Sequence, residues 1–374
     1  MNTVRLAAAG AGKTWKICNE ALRISAELNK KRILMVTYTN RGVDAIKEEL
    51  EKQSNGIIPP NIVVLSWYRF LLRELIRPYQ TYIGDVNEIR TIIYSLEHVR
   101  NYEKVGAKRR YITANNDVRS EEASNLVLLL NQKSNGLVFS RLEKIYSDIF
   151  FDEIQDLAGR DICILEELFA SKINVTCVGD NKQSTFSTHT TRTNKSKTGR
   201  NIFGFLDCLE KKSIITMETQ LSSRRFNKYI CAFANSVYPN DNNMTTIMNE
   251  NTEHDGVFII SKKDAEKYYN HFHPKELRYD KNNKNTISQM AINYGECKGK
   301  TYDRCMIYPT KPLVDFLKGK SITSPEKYYV AVTRARYSNA IVVENLFGAQ
   351  NFSKCKMKIG DEEIEVEKFN LEDK

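Results

Sequence analysis

The chain has 374 residues, of which 41% are hydrophobic and 27% are charged, and this balance excludes a disordered or fibrous protein. The length suits two domains, each large enough for its own core. The net charge of +10 and the pI of about 9.0 favour a polyanionic partner, nucleic acid above all, although a basic and well-solvated surface would give the same charge.

Cysteine spacing and hydropathy bear on the compartment. The eight cysteines form no C-x₂₋₄-C pair, which argues against a zinc site and favours reduced thiols in a cytoplasmic protein. No stretch reaches the roughly 18 consecutive apolar residues that a membrane span needs. We therefore expect a cytoplasmic protein with no membrane partner.

The first predicted element is a short apolar strand that runs into a small-residue turn and then into a helix. This order forms a phosphate-binding arrangement, in which backbone N–H groups at the helix N-terminus point at the phosphates. Lys13 would place its charge between the β- and γ-phosphates, and the hydroxyl of Thr14 can ligate Mg²⁺. A plain strand–turn–helix is the alternative, because the strict pattern has glycine where this chain has Ala7. The residues expected to hold the nucleotide here are Ala9, Gly10, Ala11, Gly12, Lys13 and Thr14.

Two further strands are predicted at residues 33–37 and 62–65, and polar and aromatic residues follow each of them. Tyr38 comes directly after the first strand. Trp67 and Phe70 follow the second. Both could be core residues, and we prefer that interpretation for Phe70.

A long segment at residues 76–145 is rich in charge and in helix formers, above all at residues 87–104 and 121–132. We interpret it as a small helical insertion. Strands and helices alternate elsewhere, which favours an α/β fold with parallel sheets.

An apolar strand predicted at residues 145–151 ends in Asp152 and Glu153. Asp152 would hold Mg²⁺, directly or through water, and Glu153 would orient and deprotonate an attacking water. Acids at the carboxyl end of a strand fit the ligand crevice of an open parallel sheet. An isolated Asp-Glu pair is usually a solvated turn, but Asp-Glu-x-Gln-Asp downstream of a phosphate loop is a strong signal.

Eight segments between residues 5 and 336 resemble, in order, the motifs of UvrD/Rep-type superfamily-1 helicases, which are P-loop NTPase motors. The phosphate loop, in the form Ala-x-x-Gly-x-Gly-Lys-Thr, resembles motif I, and the acidic segment resembles motif II. The match of residues 328–336 to motif VI is the most specific. The other matches are residues 33–40 to motif Ia, 66–70 to the next strand-contacting motif, 175–186 to motif III, 221–235 to motif IV and 294–303 to motif V.

The resemblance implies two RecA-like P-loop domains that use ATP, or another NTP, with Mg²⁺. It places the first domain at residues 1–205, with the helical insertion, and the second at 206–374. Gln183 would sense the γ-phosphate, and Arg225 and Arg334 would stabilise the charge on the transferring phosphoryl group. The resemblance also implies a nucleotide contact by Arg224 and nucleic-acid contacts by Tyr38, Thr39, Asn40, Trp67 and Phe186.

The chain departs from the family pattern at several positions. Arg224 stands where the family has a stacking tyrosine, and an arginine plane can also stack on a base. The other departures are Thr188 and His189 in place of tryptophan and arginine, a basic loop at 190–200, Thr301 in place of glutamate, only six residues before Ala7, where an adenine-reading glutamine motif usually lies, and no room at 236–293 for a large insertion.

These features lead us to expect a nucleic-acid-dependent ATPase, a helicase-like motor on single-stranded nucleic acid, with DNA favoured over RNA. The alternative is an NTPase subunit that senses nucleic acid and controls a partner, such as a nuclease in a defence or repair system. A degenerate binding module is a third possibility. The retained Lys13, Asp152, Glu153, Gln183, Arg225 and Arg334 argue against it.

Overall fold

The chain divides into two α/β units. The main change of unit falls between Thr219 and Gln220 rather than at residues 205 and 206, because a strand at residues 216–220 joins the first sheet. The computed structural model describes residues 2–27, 31–84, 86, 88–94, 104, 106–180, 182–183, 201–239, 243–283 and 285–371. Of these, the first unit takes those within 1–6, 13–181 and 186–219, and the second takes those within 7–12, 182–185 and 220–374.

The first unit is built on a parallel sheet. The strands of the first unit are β1 (Thr3–Ala7), β2 (Arg32–Thr37), β3 (Ile62–Ser66), β4 (Ile92–Ile93), β5 (Val118–Arg119), β6 (Tyr146–Phe151), β7 (Asn174–Gly179) and β8 (Thr216–Gln220). Strands β4 and β5 form a separate pair. The helices of the first unit are α1 (Lys13–Ser25), α2 (Asn40–Gln53), α3 (Trp67–Phe70), α4 (Lys108–Tyr111), α5 (Ala123–Lys133), α6 (Leu137–Ile145), α7 (Asp161–Ala170) and α8 (Ile202–Lys211). Within the described residues the sheet has six strands in the order β3-β2-β6-β7-β1-β8, and the pairs from β3 to β1 are parallel.

Both faces of this sheet are buried, as strand β2 illustrates. Leu34 and Val36 pack into one apolar cluster, whereas Ile33 and Met35 pack into another. Successive side chains of a strand point to opposite faces, so a strand that is buried on both sides must be apolar throughout. Helices cover both faces, and the predicted α/β class with parallel strands is confirmed.

The expected helical insertion is partly helical. In its described part the two longest helices are α5 and α6, and α5 matches the prediction at residues 121–132. The prediction of helix at residues 87–104 was wrong for residues 88–94, where Ile92–Ile93 form β4 and pair with β5 in parallel. The β-branched residues Thr91, Ile92 and Ile93 favour strand over helix and account for the difference.

The second unit contains a sheet of seven strands among its described residues, in the order β13-β12-β14-β15-β11-β17-β16. The strands of the second unit are β9 (Ser222–Ser223), β10 (Thr245–Thr246), β11 (Gly256–Ser261), β12 (Lys275–Arg278), β13 (Ile292–Asn293), β14 (Tyr302–Tyr308), β15 (Ala335–Val343), β16 (Phe352–Ile359) and β17 (Glu362–Phe369). Strands β9 and β10 form a separate pair. The helices of the second unit are α9 (Lys228–Val237), α10 (Lys262–Phe272), α11 (Lys311–Leu317) and α12 (Glu326–Val332).

Five strands of the second sheet are parallel, and an antiparallel hairpin, β16–β17, extends it beside β11. Alternate residues of β11 pack into different clusters, Val257 and Ile259 on one face and Phe258 and Ile260 on the other. The second unit is therefore also a layered α/β unit. In the described part of the chain, no helix has the length and hydropathy required to cross a membrane.

Candidate active site

The phosphate loop turns through two glycines in the left-handed region. Gly10 has φ +74° and Gly12 has φ +78°, values that side-chain-bearing residues rarely adopt. A Cβ at Gly10 would also lie 2.5 Å from both the Cβ of Arg225 and the Oγ of Ser223. At Gly12 a Cβ would meet no described atom within 4 Å, so the backbone angle alone requires glycine there.

Hydrogen bonds hold the loop in its conformation. The N–H of Ala11 donates to the carbonyl of Ala8 over 3.1 Å, and Nε2 of Gln220 donates to the carbonyl of Ala11 over 2.9 Å. The N–H of Arg224 donates to the carbonyl of Gly10 over 2.9 Å, while the Arg224 side chain is exposed. The backbone of the motif IV segment therefore lies directly against the loop, within the second unit.

In the first unit, α1 places Lys13 and Thr14 next to the acids that follow β6. The hydroxyl of Thr14 donates to Oδ2 of Asp152 over 3.0 Å. The ammonium of Lys13 lies 3.9 Å from Oδ2 of Asp180, which is buried. The expected phosphate-binding lysine, hydroxyl and acid are thus brought together.

The carboxyl of Asp152 is poor at holding a negative charge in this position. Its removal from water, and then the charge of Glu153, raise its pKa to about 6, against the opposing effects of Lys13 and Thr14. A divalent cation would relieve this repulsion, and carboxylate and hydroxyl oxygens are ligands that Mg²⁺ prefers. The donor set of Thr14 and Asp152 therefore fits Mg²⁺.

Glu153 has an unusual backbone conformation for a glutamate, with φ +58° in the left-handed region. Such a conformation costs on the order of 1 kcal/mol or more and is concentrated at functional sites. Its N–H donates to Oδ1 of Asp152 over 3.0 Å, and Gln155 donates a hydrogen bond to its carboxylate. The oxygen Oε1 of Gln155 accepts from the N–H of Asp180 over 3.1 Å, so Gln155 links Glu153 to the end of β7.

Gly179, the last residue of β7, makes room for this link. A Cβ there would lie 2.6 Å from Oε1 of Gln155 and 2.6 Å from Cγ2 of Ile154. Neither atom is at the free end of a mobile side chain, since Ile154 and Gln155 are both buried. The glycine of the motif III strand therefore permits the position of the side chain that orients Glu153.

In the second unit, Gln183, Arg225 and Arg334 meet around Thr333. Arg225 Nη1 donates to the carbonyl of Thr333 over 3.2 Å, and Arg334 Nη2 donates to the hydroxyl of Thr333 over 3.0 Å. The same Nη2 lies 3.4 Å from Oε1 of Gln183. The sequence predicts a role for each of these three residues separately, and the structure brings them together.

Arg334 is 1% exposed and remains without a counter-ion in the described part of the chain. Its further partners are carbonyl oxygens, of Val330 at 2.8 Å from Nε and of Lys300 at 3.3 Å from Nη1. A buried charge is costly unless it is compensated. An anionic ligand group would supply the compensation.

Trp15, which is not among the predicted site residues, is exposed on the first turn of α1. The residue is 49% exposed, and its carbonyl accepts a hydrogen bond from Nε2 of Gln53 over 3.1 Å. Trp15 directly follows Lys13 and Thr14, the residues expected to hold the nucleotide phosphates and Mg²⁺.

The residues expected to contact a strand lie at the ends of β2 and β3. Tyr38 follows β2 and is half-buried. The hydroxyl of Thr39 caps α2 by accepting from the N–H of Gly42 over 3.0 Å, and Asn40 is exposed at the start of that helix. Thr39 therefore has a structural role whether or not it also contacts a ligand.

Trp67, which we expected to contact nucleic acid, lies in the core of the first unit. Its ring is 1% exposed and packs on Phe70 and Phe151, with centroids 5.7 and 6.1 Å away. One residue of a helix turns through about 100°, so the neighbouring side chain, Tyr68, points elsewhere and lies beside Tyr38 at 6.3 Å. Phe70 is fully buried, which confirms the preferred interpretation. Phe186 and the loop at 190–200 lie outside the described residues.

Comparison with known proteins identifies the family. The family model of the UvrD/REP helicase N-terminal domain matches residues 2–92 and 96–194. No curated protein matches the chain. The matched residues include the phosphate loop, the acids after β6 and the two segments that follow β2 and β3.

Proposed function

The chain belongs to the UvrD/REP helicase family, and from this membership we propose that it hydrolyses ATP, or another NTP, while it acts on single-stranded nucleic acid, with DNA as the favoured strand. The family supplies the helicase-like motor, which uses ATP with Mg²⁺. The observation that carries the proposal is the hydrogen bond between Thr14 and Asp152, with Lys13 and Glu153 directly beside them. Phosphoryl transfer uses these four residue types close to one another.

In the proposed mechanism, Lys13 and the backbone N–H groups of Ala9, Gly10 and Gly12 bind the nucleotide phosphates, while Ala11, whose N–H donates to the carbonyl of Ala8, keeps the loop in shape. Thr14 and Asp152 would hold Mg²⁺, which, when bound, neutralises charge on the phosphate oxygens. Glu153 takes a proton from the attacking water. As it does so, the oxygen of that water bonds to the γ-phosphorus, and the bond between the γ-phosphorus and the oxygen that bridges the β- and γ-phosphates breaks. Gln155 orients the Glu153 carboxylate for that proton transfer.

Arg225 and Arg334 donate, in this proposal, to oxygens of the transferring phosphoryl group. The absence of a described counter-ion at Arg334 supports the role, because a buried guanidinium is best compensated by an anionic substrate. Gln183 touches Arg334 and would report the state of the γ-phosphate. Removing any one of the three should disturb the other two.

We propose that the side chains of Trp15 and Arg224 each contact the base of the nucleotide. Both side chains are exposed, Trp15 one residue beyond Thr14 and Arg224 with its backbone bonded to the phosphate loop. An indole and a guanidinium plane can each stack on a base. Stacking reads the face of the base rather than its edge, so this pair predicts weak selection between ATP and GTP.

A partner-regulated NTPase switch is the second candidate function. Between α9 and β14, the described residues form only strands β10 to β13, helix α10 and the connections between them, with no accessory domain. Separation of duplex strands by such motors draws on accessory domains. A motor core without them could instead sense nucleic acid and control a partner such as a nuclease.

Two assays separate these functions. Phosphate release is measured with and without a single-stranded oligonucleotide, and displacement of a labelled strand from a partial duplex is measured with ATP. Displacement together with strand-stimulated release supports the motor, whereas stimulation without displacement supports the switch. The variant Tyr38→Ala should weaken strand binding by about 1–3 kcal/mol while leaving release without a strand near normal. Equal strand binding by Tyr38→Ala and the wild type would remove Tyr38 from the strand site.

A further inference from the structure

A surface groove of about 560 Å³ lies in the first unit, beyond Tyr38. We call it the tyrosine groove, and the lining residues that matter here are Tyr38, Asn40, Lys47, Tyr68, Arg69 and Tyr94. Tyr38 and Asn40 belong to a segment with an expected strand contact. Tyr94 belongs to none of the motif segments and comes from the insertion.

The three tyrosines form a continuous series of ring contacts. The centroids of Tyr38 and Tyr68 are 6.3 Å apart, and those of Tyr68 and Tyr94 are 5.5 Å apart at an interplanar angle of 85°. In an edge-to-face pair, one ring uses at most one of its faces, so at least one face of Tyr94 is free of Tyr68. Tyr94 is also 73% exposed, whereas the other two rings are half-buried.

The backbone holds Tyr94 in this exposed position. It follows directly on β4, whose Ile92 and Ile93 pair with Val118 and Arg119. The N–H of Val118 also donates to the carbonyl of Thr91 over 2.8 Å. A large ring held at the surface by a paired backbone and an aromatic neighbour loses little conformational freedom when a ligand stacks on it.

The charge at the groove favours an anion. Lys47 and Arg69 are both exposed, and in the described part of the chain neither of them forms an ion pair. The carboxylate of Asp44 also lines the groove and partly offsets them. Aromatic rings beside cations with few acids form the combination that binds single-stranded nucleic acid without base selection.

We propose that Tyr94 is a strand-binding residue, whose free face stacks on an unpaired base while Lys47 and Arg69 contact the neighbouring phosphates. The inference rests on the proposed function, because it names a further contact to the same single strand. The ligand it requires is a strand with exposed bases. A bare phosphate backbone would engage the cations but not the ring.

The test compares the binding of two labelled oligonucleotides of equal length, one with bases and one abasic, by fluorescence anisotropy without nucleotide. Tyr94→Ala should bind the oligonucleotide with bases about 5- to 150-fold more weakly than wild type, and the abasic one equally well. Tyr94→Phe keeps the ring and should retain wild-type binding. Tyr82→Ala is the matched control, since Tyr82 is 40% exposed, packs on Tyr79 at 6.2 Å and does not line the groove.

The outcomes distinguish this inference from the proposed function. If Tyr94→Ala binds both oligonucleotides like wild type while Tyr38→Ala loses affinity, the role of Tyr94 is overturned and the strand-binding function stands. An equal loss for both oligonucleotides would overturn the stacking role as well. If the wild type binds neither, the proposed function itself fails. Melting temperatures of the variants within a few degrees of wild type establish that the fold is intact.

Discussion

Arg334 donates a hydrogen bond to Gln183 over 3.4 Å and thereby joins two motif segments that are 151 residues apart in the chain. Thr333 extends the contact to Arg225, because the guanidinium of Arg225 donates to the carbonyl of Thr333. Three side chains that share hydrogen-bond partners should act as one unit. The proposed phosphate sensor and both proposed arginine fingers therefore form one cluster of the second unit.

Loss of Arg334 should abolish most turnover while strand binding persists. Arg334→Ala removes a charge that the proposed mechanism places on the transferring phosphoryl group, and such arginines contribute about 10³-fold or more. Steady-state phosphate release and oligonucleotide anisotropy give the two readouts. Arg336→Ala is the matched control, because Arg336 makes a partly exposed ion pair with Glu250 at 2.9 Å. Turnover by Arg334→Ala within tenfold of wild type would exclude it as a finger.

Glu153→Gln should separate nucleotide binding from hydrolysis. The amide keeps the size of the carboxylate and much of its hydrogen bonding but cannot accept a proton. Turnover should fall by about 10²-fold or more, the usual contribution of a positioned base. Nucleotide affinity, measured by calorimetry, should stay near wild type. Near-normal turnover would show that another group takes the proton.

Trp15 should report on the base of the nucleotide. Trp15→Ala should raise the KM for ATP and for GTP alike, by about 5- to 150-fold, if the indole stacks on the base. The KM for inorganic tripolyphosphate, which has no base, should not change. The chain has two tryptophans, and Trp67 is buried, so nucleotide should quench only the Trp15 fluorescence.

Wild-type turnover of ATP and GTP should agree within about tenfold, or about 1.4 kcal/mol, because ring stacking tolerates either base. A strict ATP preference would mean that a group reading the edge of adenine is present.

For the Trp15 prediction, an unchanged KM for both nucleotides in Trp15→Ala would remove the indole from the site.

His254 should make the second unit acid-sensitive. Its ring lies between Phe258 and Phe272, with centroids 4.6 and 3.9 Å away, and its Nε2 lies 2.7 Å from the hydroxyl of Tyr268. Burial, followed by the charge of Arg304, lowers its pKa to about 3. In the unfolded chain, His254 binds a proton below about pH 6.5, whereas in the folded chain it stays neutral until the pH approaches 3. The contribution of neutral His254 to the free energy of unfolding is therefore complete above about pH 6.5 and is lost as the pH falls toward 3.

Protonation of His254 in the unfolded chain lowers the free energy of unfolding at pH 5 by about 2 kcal/mol relative to pH 7.5. His254→Phe keeps the stacked ring but cannot take up the proton. The fall in melting temperature between pH 7.5 and pH 5 should therefore be smaller in His254→Phe than in wild type. Equal falls would show that His254 is not held neutral.

The sequence predicted the chemistry of the site better than its contacts. Strand ends and the phosphate loop follow from local patterns, so Lys13, Thr14, Asp152 and Glu153 could be named without a structure. Which of Trp67 and Tyr68 faces outward depends on where α3 begins, and that is fixed by packing against Phe151. Tyr94 could not be assigned, because its role depends on the pairing of β4 with β5, two short strands separated by a long stretch of chain.

The link between strand and hydrolysis is the central claim, and one measurement tests it most directly. The rate of phosphate release by wild-type protein is compared without nucleic acid and at a saturating concentration of a single-stranded oligonucleotide, at saturating ATP and Mg²⁺. We predict a clearly higher rate with the strand, and loss of both rates in Glu153→Gln. Equal rates with and without the strand would contradict the motor and leave a partner-regulated NTPase as the better account.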